Sequence, residues 1–195
     1  MSQRERIGLF GGTFDPVHLG HTVVAEWMLH HFDLRKIFFI PNRIHPFQKR
    51  KDVTASELRL EMLSLALTDF PHFKISRFEL DRPEVSYTID TVRYFAREHP
   101  QYDLYLLIGS DICQEFDSWK EPHAILHMSK VVVYKRRKAG KHNSVHSKAF
   151  IYTESPLIEI SSSQIREAVR QGIPFRSLVD PRVYQFILNH RLYRD

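Results

Sequence analysis

Two histidines, His18 and His21, are the residues of this sequence whose type and spacing point most directly to chemistry. They lie three positions apart, so they share one face of a helix that begins near Pro16 or Val17. In the first turn of such a helix, free backbone N–H groups and the helix dipole favour an anion. Imidazoles add directed donors and can be protonated near neutral pH. The pair therefore predicts a site for phosphoryl oxygens that develop negative charge.

Two simpler interpretations of the histidine pair stay open from the residues alone. The chain has 12 histidines, so a pair at this spacing can arise by chance on a surface. A zinc site is the other alternative, but no third ligand is evident nearby and the motif is not H-E-x-x-H. The preceding Gly11 and Gly12 allow a sharp turn and the close approach of a ligand. They fit neither common glycine-rich phosphate loop, so alone they are weak evidence.

A second anion site is indicated far along the chain, at Ser161, Ser162 and Ser163. Serines at the start of a helix supply hydroxyls and backbone N–H groups. Arg166, on the same helix, adds a fork of donors that suits phosphate oxygens. Taken in isolation, the serines are better explained by an ordinary helix N-cap.

The elements that must position these residues alternate between short apolar runs and segments with helical spacing. Strands are predicted over 7–10, 36–40, 73–75, 77–80, 104–108, 131–134 and 150–153. Helices are predicted over 19–32, from 54 onward, and over 88–99, 122–127, 162–171 and 181–190. This pattern predicts a Rossmann-like α/β fold, an open, mostly parallel sheet with helices on both faces. Ligands of such folds lie at the carboxyl ends of the strands.

Two details of the helices are also predicted. The buried stripe of the first helix is expected at Val23, Val24, Trp27, Met28 and His31. Thr54 and Glu57 have the spacing of a capping box, which predicts that Thr54 opens the second helix. No internal repeat or domain boundary is evident, so we expect a single domain over residues 1–195.

The composition, 43% hydrophobic and 26% charged, is that of a soluble globular protein. A single cysteine, Cys113, excludes an intrachain disulfide and favours a reducing compartment. No apolar run approaches the ~20 residues that cross a bilayer, so we expect a cytoplasmic protein without a membrane partner. The net charge of +5 suits an anionic ligand such as a nucleotide. The basic run 135–138 is typical of a solvated loop, with phosphate contact and RNA binding as alternatives, and we expect no nucleic-acid partner.

The stretch from Gly11 to His21 reads G-G-T-F-D-P-V-H-L-G-H. It resembles the nucleotidyltransferase superfamily, whose hallmark is T/H-x-G-H after the first strand. The complete stretch resembles the bacterial nicotinate-nucleotide adenylyltransferases. The segment from Ile160 to Arg166, I-S-S-S-Q-I-R, resembles the superfamily's I-S-S-T-x-I-R, with Ser163 in place of threonine. The resemblance covers nearly the whole chain and implies chemistry on ATP.

The resemblance implies roles for residues on the ATP side. His18 and His21 would hold the α- and β-phosphates as charge develops, with Arg166 and Lys49 assisting. Asp111, in I-G-S-D, would bind the ribose hydroxyls, although a charge at a helix N-terminus is the alternative. Further ATP contacts are expected from Gly11, Gly12, Thr13, Phe14, Arg136, Ile160, Ser161, Ser162 and Ser163.

One loop departs from the family pattern. The stretch 45–48 reads H-P-F-Q, where the family's P-N-x-x-P-P-H-K would place Pro-Pro-His, and the spacing is one residue longer. A catalytic role for a histidine of this loop is therefore not supported. Lys49 occupies the lysine position, where a phosphate contact and a loose surface lysine are equally good explanations.

Two segments favour a pyridine nucleotide as the acceptor. Ser86-Tyr87-Thr88 resembles a family segment that binds the nicotinate end, and Asp117-Ser118-Trp119 resembles one whose tryptophan stacks on the pyridine ring. Thr88 as a helix cap and Trp119 as a core aromatic are the plain alternatives. Lys120 replaces a common tyrosine, and its charge should favour a carboxylate over a carboxamide. Asp15 is assigned to the same side, where it fixes the turn rather than binding metal.

The resemblance implies that the phosphate of nicotinate mononucleotide attacks the α-phosphate of ATP. Deamido-NAD and pyrophosphate are the products, and no covalent enzyme intermediate is needed. Mg²⁺ would be carried mainly by the phosphates of ATP, without a metal site in the protein. A metal-dependent hydrolase that uses His18 and His21, and a non-catalytic nucleotide sensor, stay as alternatives. Dimers occur among relatives, and the sequence leaves a homo-oligomer open.

Overall fold

The computed structural model of the chain describes residues 4–43, 53–136 and 144–194. Within them, six strands form one sheet in which every neighbouring pair is parallel. The strands are β1 (Arg6–Gly12), β2 (Leu34–Pro41), β3 (Phe73–Ile75), β4 (Asp103–Gly109), β5 (Lys130–Tyr134) and β6 (Ile151–Tyr152). Their order, β3-β2-β1-β4-β5-β6, is that of a doubly wound sheet. The predicted Rossmann-like fold is therefore confirmed.

Helices cover both faces of this sheet. They are α1 (Leu19–His31), α2 (Ser56–Ala66), α3 (Thr88–Glu98), α4 (Pro122–Met128), α5 (Ser162–Arg170) and α6 (Pro181–Asn189). The first core cluster joins α1, α2, α5 and α6 to one face, and the second joins α3 and α4 to the other. Along β5, Val131 and Val133 enter the second cluster, whereas Val132 and Tyr134 enter the first. This alternation is the pleat of a strand buried on both faces, and it explains the continuous apolar runs.

The chain changes direction across the sheet between β1 and β4. From β1 it proceeds outward to β2 and β3, and then it returns to place β4 on the other side of β1. At such a switch point the connections that leave the two strands diverge, so a crevice opens at their carboxyl ends. The loop after β1 and the loop after β4 border this crevice.

Three local predictions are wrong. Residues 77–80 form a turn rather than a strand. The Arg77 guanidinium binds the carboxylates of Glu57 and Asp81, and the Arg77 carbonyl accepts the Asp81 N–H. In α1, Val23 and His31 are exposed, whereas Ala25 and Leu29 are buried. This helix is apolar on most of its circumference, so periodicity could not identify its inner face.

The third wrong prediction concerns the start of α2. Its N-cap is Ala55, and no side chain caps it. The Thr54 N–H instead donates to Asp15 Oδ2, and its carbonyl accepts the Nε–H of Arg59. Among the described residues, no helix combines the length and the apolar character that crossing a membrane requires.

Candidate active site

A tightly folded turn follows β1 at the edge of the crevice. Phe14 has φ 49°, a left-handed conformation that is uncommon for a residue with a side chain. Its ring covers Gly12 so closely that a Cβ there would lie 3.0 Å from Phe14 Cζ. Phe14 is 2% exposed and belongs to the first core cluster, so its ring offers no surface to a nucleotide. A Cβ on Gly11 would meet nothing within 4 Å, so the backbone there is open to a ligand.

The two histidines lie where α1 begins, with their rings stacked at a centroid distance of 3.7 Å. The helix begins at Leu19 rather than near Pro16 or Val17, so His18 is its N-cap and His21 closes its first turn. The His18 backbone N–H donates to His21 Nδ1 over 3.2 Å. Since Nδ1 accepts, the proton of a neutral His21 ring is on Nε2. His21 therefore has one fixed donor.

The surroundings of both imidazoles favour their neutral forms. Burial, with a contribution from the charge of Arg136, lowers the pKa of His18 to about 3. Burial also lowers the pKa of His21 well below its ordinary value, and the charges of His18 and Arg136 act in the same direction. This corrects the expectation from the sequence that either ring readily carries a proton. The pair can offer N–H donors without a positive charge of its own.

The start of α5 docks directly onto the turn after β1. Ser162 Oγ donates to the Pro16 carbonyl over 2.9 Å. Arg166 donates from Nη1 to the Asp15 carbonyl over 2.7 Å and from Nη2 to Ser163 Oγ over 3.1 Å. The two sequence motifs, separated by about 150 positions, therefore meet in one place. A guanidinium charge is fixed beside the turn that leads into the histidine pair.

The serines of α5 have specific partners within the protein. Ser161 is the N-cap: its Oγ accepts the Gln164 N–H over 3.3 Å, and its N–H donates to Gln164 Oε1 over 2.9 Å. The plain capping interpretation is thus correct for Ser161. The hydroxyls of Ser162 and Ser163 bind Pro16 and Arg166, and Ile160 packs against the first core cluster. ATP contacts from this segment stay a prediction, for which the N–H groups of the first turn of α5 are the best candidates.

Asp111 and Arg136 face each other where β4 and β5 end. Their Oδ2 and Nη1 atoms are 3.7 Å apart. The Arg136 backbone N–H donates to Ser110 Oγ over 2.7 Å, which ties the two strand ends together. Asp111 Oδ1 is buried and has no hydrogen-bond partner among the residues that the structure describes. A buried carboxylate oxygen without a partner at the crevice is suited to accept a ligand hydroxyl.

Gly109 keeps this pair in place, and Gly109→Ala is expected to weaken ATP binding about tenfold or more. A Cβ at this position would lie 2.3 Å from Asp111 Oδ1 and 2.9 Å from Arg136 Cδ, so both side chains would have to move. Titration calorimetry with ATP measures the effect, and thermal melting separates it from loss of folding. ATP affinity equal to that of the wild type would contradict a nucleotide role for the pair.

Three of the four residues predicted for the acceptor lie together near the start of α3. Trp119 and Tyr87 both pack, half-buried, against the second core cluster. The Lys120 Nζ lies 4.7 Å from the centre of the Tyr87 ring and 3.9 Å from Asp90 Oδ2. Thr88 is the first residue of α3, whose N-cap is Tyr87, so the capping interpretation of Thr88 is wrong. The structure thus brings Thr88, Trp119 and Lys120 to one place.

Asp15 is buried beneath the turn rather than exposed in the crevice. Its carboxylate accepts the Tyr193 hydroxyl over 2.7 Å and the Thr54 N–H over 3.3 Å. Asp15 is 1% exposed, and these hydrogen bonds fit the expectation that it fixes the turn. Direct contact with the nicotinate nucleotide stays a prediction.

Arg59 is a positioning residue that the sequence did not reveal. It is 1% exposed within α2. Its guanidinium donates to the carbonyls of Thr13 (2.6 Å), Asn42 (2.8 Å) and Thr54 (2.9 Å), and also to Ser56 Oγ (3.1 Å). Asn42 in turn donates from Nδ2 to Thr13 Oγ1 over 3.4 Å. Arg59 therefore ties the carboxyl ends of β1 and β2 together. Lys49 and the divergent stretch 45–48 lie outside the described residues.

Comparison with known proteins agrees with this geometry. Residues 9–168 match the model of the cytidylyltransferase-like family. The chain is 39% identical over 188 residues to a probable nicotinate-nucleotide adenylyltransferase of Geobacillus thermodenitrificans, covering 96% of this chain and 86% of the relative. It is 36% identical over 196 residues to one of Dictyoglomus turgidum, covering 96% and 95%.

Solved structures show the same fold. The nicotinic acid mononucleotide adenylyltransferase of Plasmodium falciparum, complexed with NaAD, superimposes with a TM-score of 0.80 at 21% identity over 97% of both chains. The same enzyme complexed with APC gives a TM-score of 0.77 at 22% identity, again over 97% of both chains.

Proposed function

The chain belongs to the nicotinate-nucleotide adenylyltransferases of the cytidylyltransferase-like family, and we propose that it transfers the adenylyl group of ATP to nicotinate mononucleotide. The products are deamido-NAD and pyrophosphate, a step of NAD biosynthesis. The observation that carries the proposal is the docking of Ser162 and Arg166 onto the turn that leads into His18 and His21. This docking brings the start of α5 and the Arg166 guanidinium against the turn that leads into the start of α1 and its two imidazoles, a combination suited to an anion.

The reaction needs no nucleophile from the protein, because the acceptor phosphate attacks the α-phosphate of ATP. Attack forms a P–O bond to the α-phosphorus, and the bond to the leaving pyrophosphate breaks. Catalysis consists of positioning and of stabilising charge on the phosphoryl oxygens. His21 donates from Nε2, His18 lies stacked beside it, and Arg166 supplies a fixed charge. A role for Lys49 in holding phosphates is part of the proposal.

The nucleotide side is completed by the ends of β4 and β5. Asp111 Oδ1 would accept from the ribose hydroxyls of ATP, and Arg136 would lie near the phosphates. The positive charge of Arg136 contributes to the lowered pKa of both histidines. This supports a position near the phosphates, because such an effect requires the guanidinium to lie near the imidazoles. Further backbone contacts are proposed from Gly11, Gly12, Thr13 and Phe14.

A divalent metal is expected to accompany the triphosphate, and we propose Mg²⁺. Among residues 4–43, 53–136 and 144–194, no three His, Cys, Asp or Glu side chains are grouped so that they could hold a metal ion. Mg²⁺ retains water and is commonly held by substrate phosphates with few protein ligands. When bound, the ion would neutralise charge on the phosphates of ATP, which His18, His21 and Arg166 would position.

Lys120 supports nicotinate as the preferred pyridine. Its ammonium lies above Tyr87, beside the start of α3 and next to Trp119. A cation at this edge favours a carboxylate on the ring over a neutral carboxamide. Thr88 and Trp119 would bind the ring itself, with the indole stacked on the pyridine.

The decisive assay measures pyrophosphate release from ATP with nicotinate mononucleotide or nicotinamide mononucleotide as acceptor. We expect turnover with the first and a kcat/KM at least about tenfold lower with the second. Equal values would remove the preference for nicotinate. Turnover that survives without an acceptor and is lost with a zinc chelator would instead indicate a hydrolase. ATP binding without turnover would indicate a nucleotide sensor.

A further inference from the structure

Asp117 clamps two distant segments of the chain together. It belongs to the 3₁₀ helix Cys113–Ser118, which precedes Trp119. Its carboxylate accepts from Ser144 Oγ over 2.7 Å, from the Val145 N–H over 3.0 Å and from His146 Nδ1 over 2.6 Å. Three consecutive residues thus converge on one side chain. We call Asp117, Ser144 and His146 the Asp117 clamp.

The His146 ring is held in the clamp at a cost. Its side chain is 10% exposed, and its Nε2 is buried without a hydrogen-bond partner among the described residues. A buried polar atom without a partner is destabilising and calls for an explanation. One explanation is the position that the imidazole gives to its neighbours.

The clamp acts on the segment that carries Trp119. The Phe116 ring, which is fully buried, lies between the two: its centroid is 5.0 Å from that of Trp119 and 5.7 Å from that of His146. The Trp119 N–H also donates to the Phe116 carbonyl over 3.1 Å. A shift of Asp117 or His146 would therefore move Phe116 and, with it, the indole.

We propose that Asp117 and His146 are positioning residues of the acceptor site, which set the height and tilt of the Trp119 ring for the pyridine of the acceptor. This inference rests on the proposed function, because it assigns Trp119 to that ring. Hydrogen bonds from His146 and Ser144 hold the pKa of Asp117 below its ordinary value, so the carboxylate is ionised throughout the neutral range. The three hydrogen bonds of the clamp involve neither Asp111 nor Arg136, which lie on the ATP side.

The test uses the full chain with Trp27→Phe, so that Trp119 is its sole tryptophan. Trp27 stacks on His31 of α1, away from the clamp. In this background, Asp117→Asn and His146→Ala are expected to raise KM for nicotinate mononucleotide about tenfold, with KM for ATP and kcat within about twofold. The emission spectrum of Trp119 should shift in both. His146→Asn keeps a donor near the Nδ1 position and should restore much of the KM.

Asp81→Asn is the matched control, since this exposed carboxylate pairs with Arg77 in the turn at 77–80, far along the chain from the clamp. It should change neither KM nor emission. Unchanged KM for nicotinate mononucleotide together with unchanged emission would overturn the proposal. Equal rises in both KM values, with a lowered melting temperature, would also overturn it, because they would mark a general structural role. A wild-type protein without turnover would refute the proposed function alone, and the emission comparison would still decide the positioning.

Discussion

Replacing His21 with alanine is expected to lower kcat about a hundredfold or more while the fold survives. His21 supplies an N–H from Nε2 because its Nδ1 accepts the His18 backbone N–H. A preorganised donor to a phosphoryl oxygen contributes ~3 kcal/mol to transition-state stabilisation in a site shielded from water. Burial lowers the pKa of both rings, so the loss is that of an uncharged N–H donor. Steady-state kinetics with saturating ATP and acceptor measure it.

His30→Ala is the matched control for this prediction. His30 lies on the same helix and is exposed, so its removal changes composition without touching the site. Its kcat should equal that of the wild type. His21→Gln, whose amide can donate, is expected to recover part of the lost rate. Near-normal kcat in the alanine variant would refute the phosphoryl role of His21.

Replacing Arg59 with methionine is expected to lower the free energy of unfolding by about 3–5 kcal/mol. The substitution removes the donors to three backbone carbonyls and leaves the Asp15 carboxylate buried without the nearby guanidinium charge. Uncompensated buried polar groups carry their full desolvation cost. Urea denaturation followed by circular dichroism gives the difference in unfolding free energy.

Arg77→Met provides the comparison, because Arg77 is an exposed arginine whose side chain also binds carboxylates. Exposed ion pairs contribute at most about 1 kcal/mol, so this variant should stay near the wild type. If the two variants lose the same free energy of unfolding, the buried hydrogen bonds of Arg59 contribute no more to stability than the exposed ion pairs of Arg77. We also expect Arg59→Met to lose activity, since Thr13 and Asn42 border the crevice.

Much of this fold could be predicted from the sequence because its strands are buried on both faces. Such strands appear as short apolar runs that end at glycine or proline, and β1, β2 and β4 could be identified in this way. The inner face of α1 could not be identified, since its polar residues are spread around the whole helix and leave no periodic signal. The turn at 77–80 could not be distinguished from a strand in the sequence. The ion pairs of Arg77 with Glu57 that hold it depend on tertiary structure.

The two phosphate motifs could be found because each is contiguous and contains residue types with strong chemistry. The networks that hold them could not. Arg59 lies between two leucines, like many solvated arginines, and its partners are backbone carbonyls that any residue possesses. Asp117 and His146 are 29 positions apart, so no local pattern joins them. The neutral state of the histidine pair likewise depends on burial, which the sequence does not contain.

The docking of α5 onto the first turn has a consequence for when the protein becomes active during its synthesis. The contacts from Ser162 to Pro16 and from Arg166 to Asp15 span 146 and 151 positions, and Tyr193 reaches Asp15 across 178. Domains generally fold as units during synthesis. The contacts of α5 and of Tyr193 with the first turn cannot form until the last helices have emerged from the ribosome. Incomplete chains that end before α5 should therefore lack a working site, even though they contain both histidines.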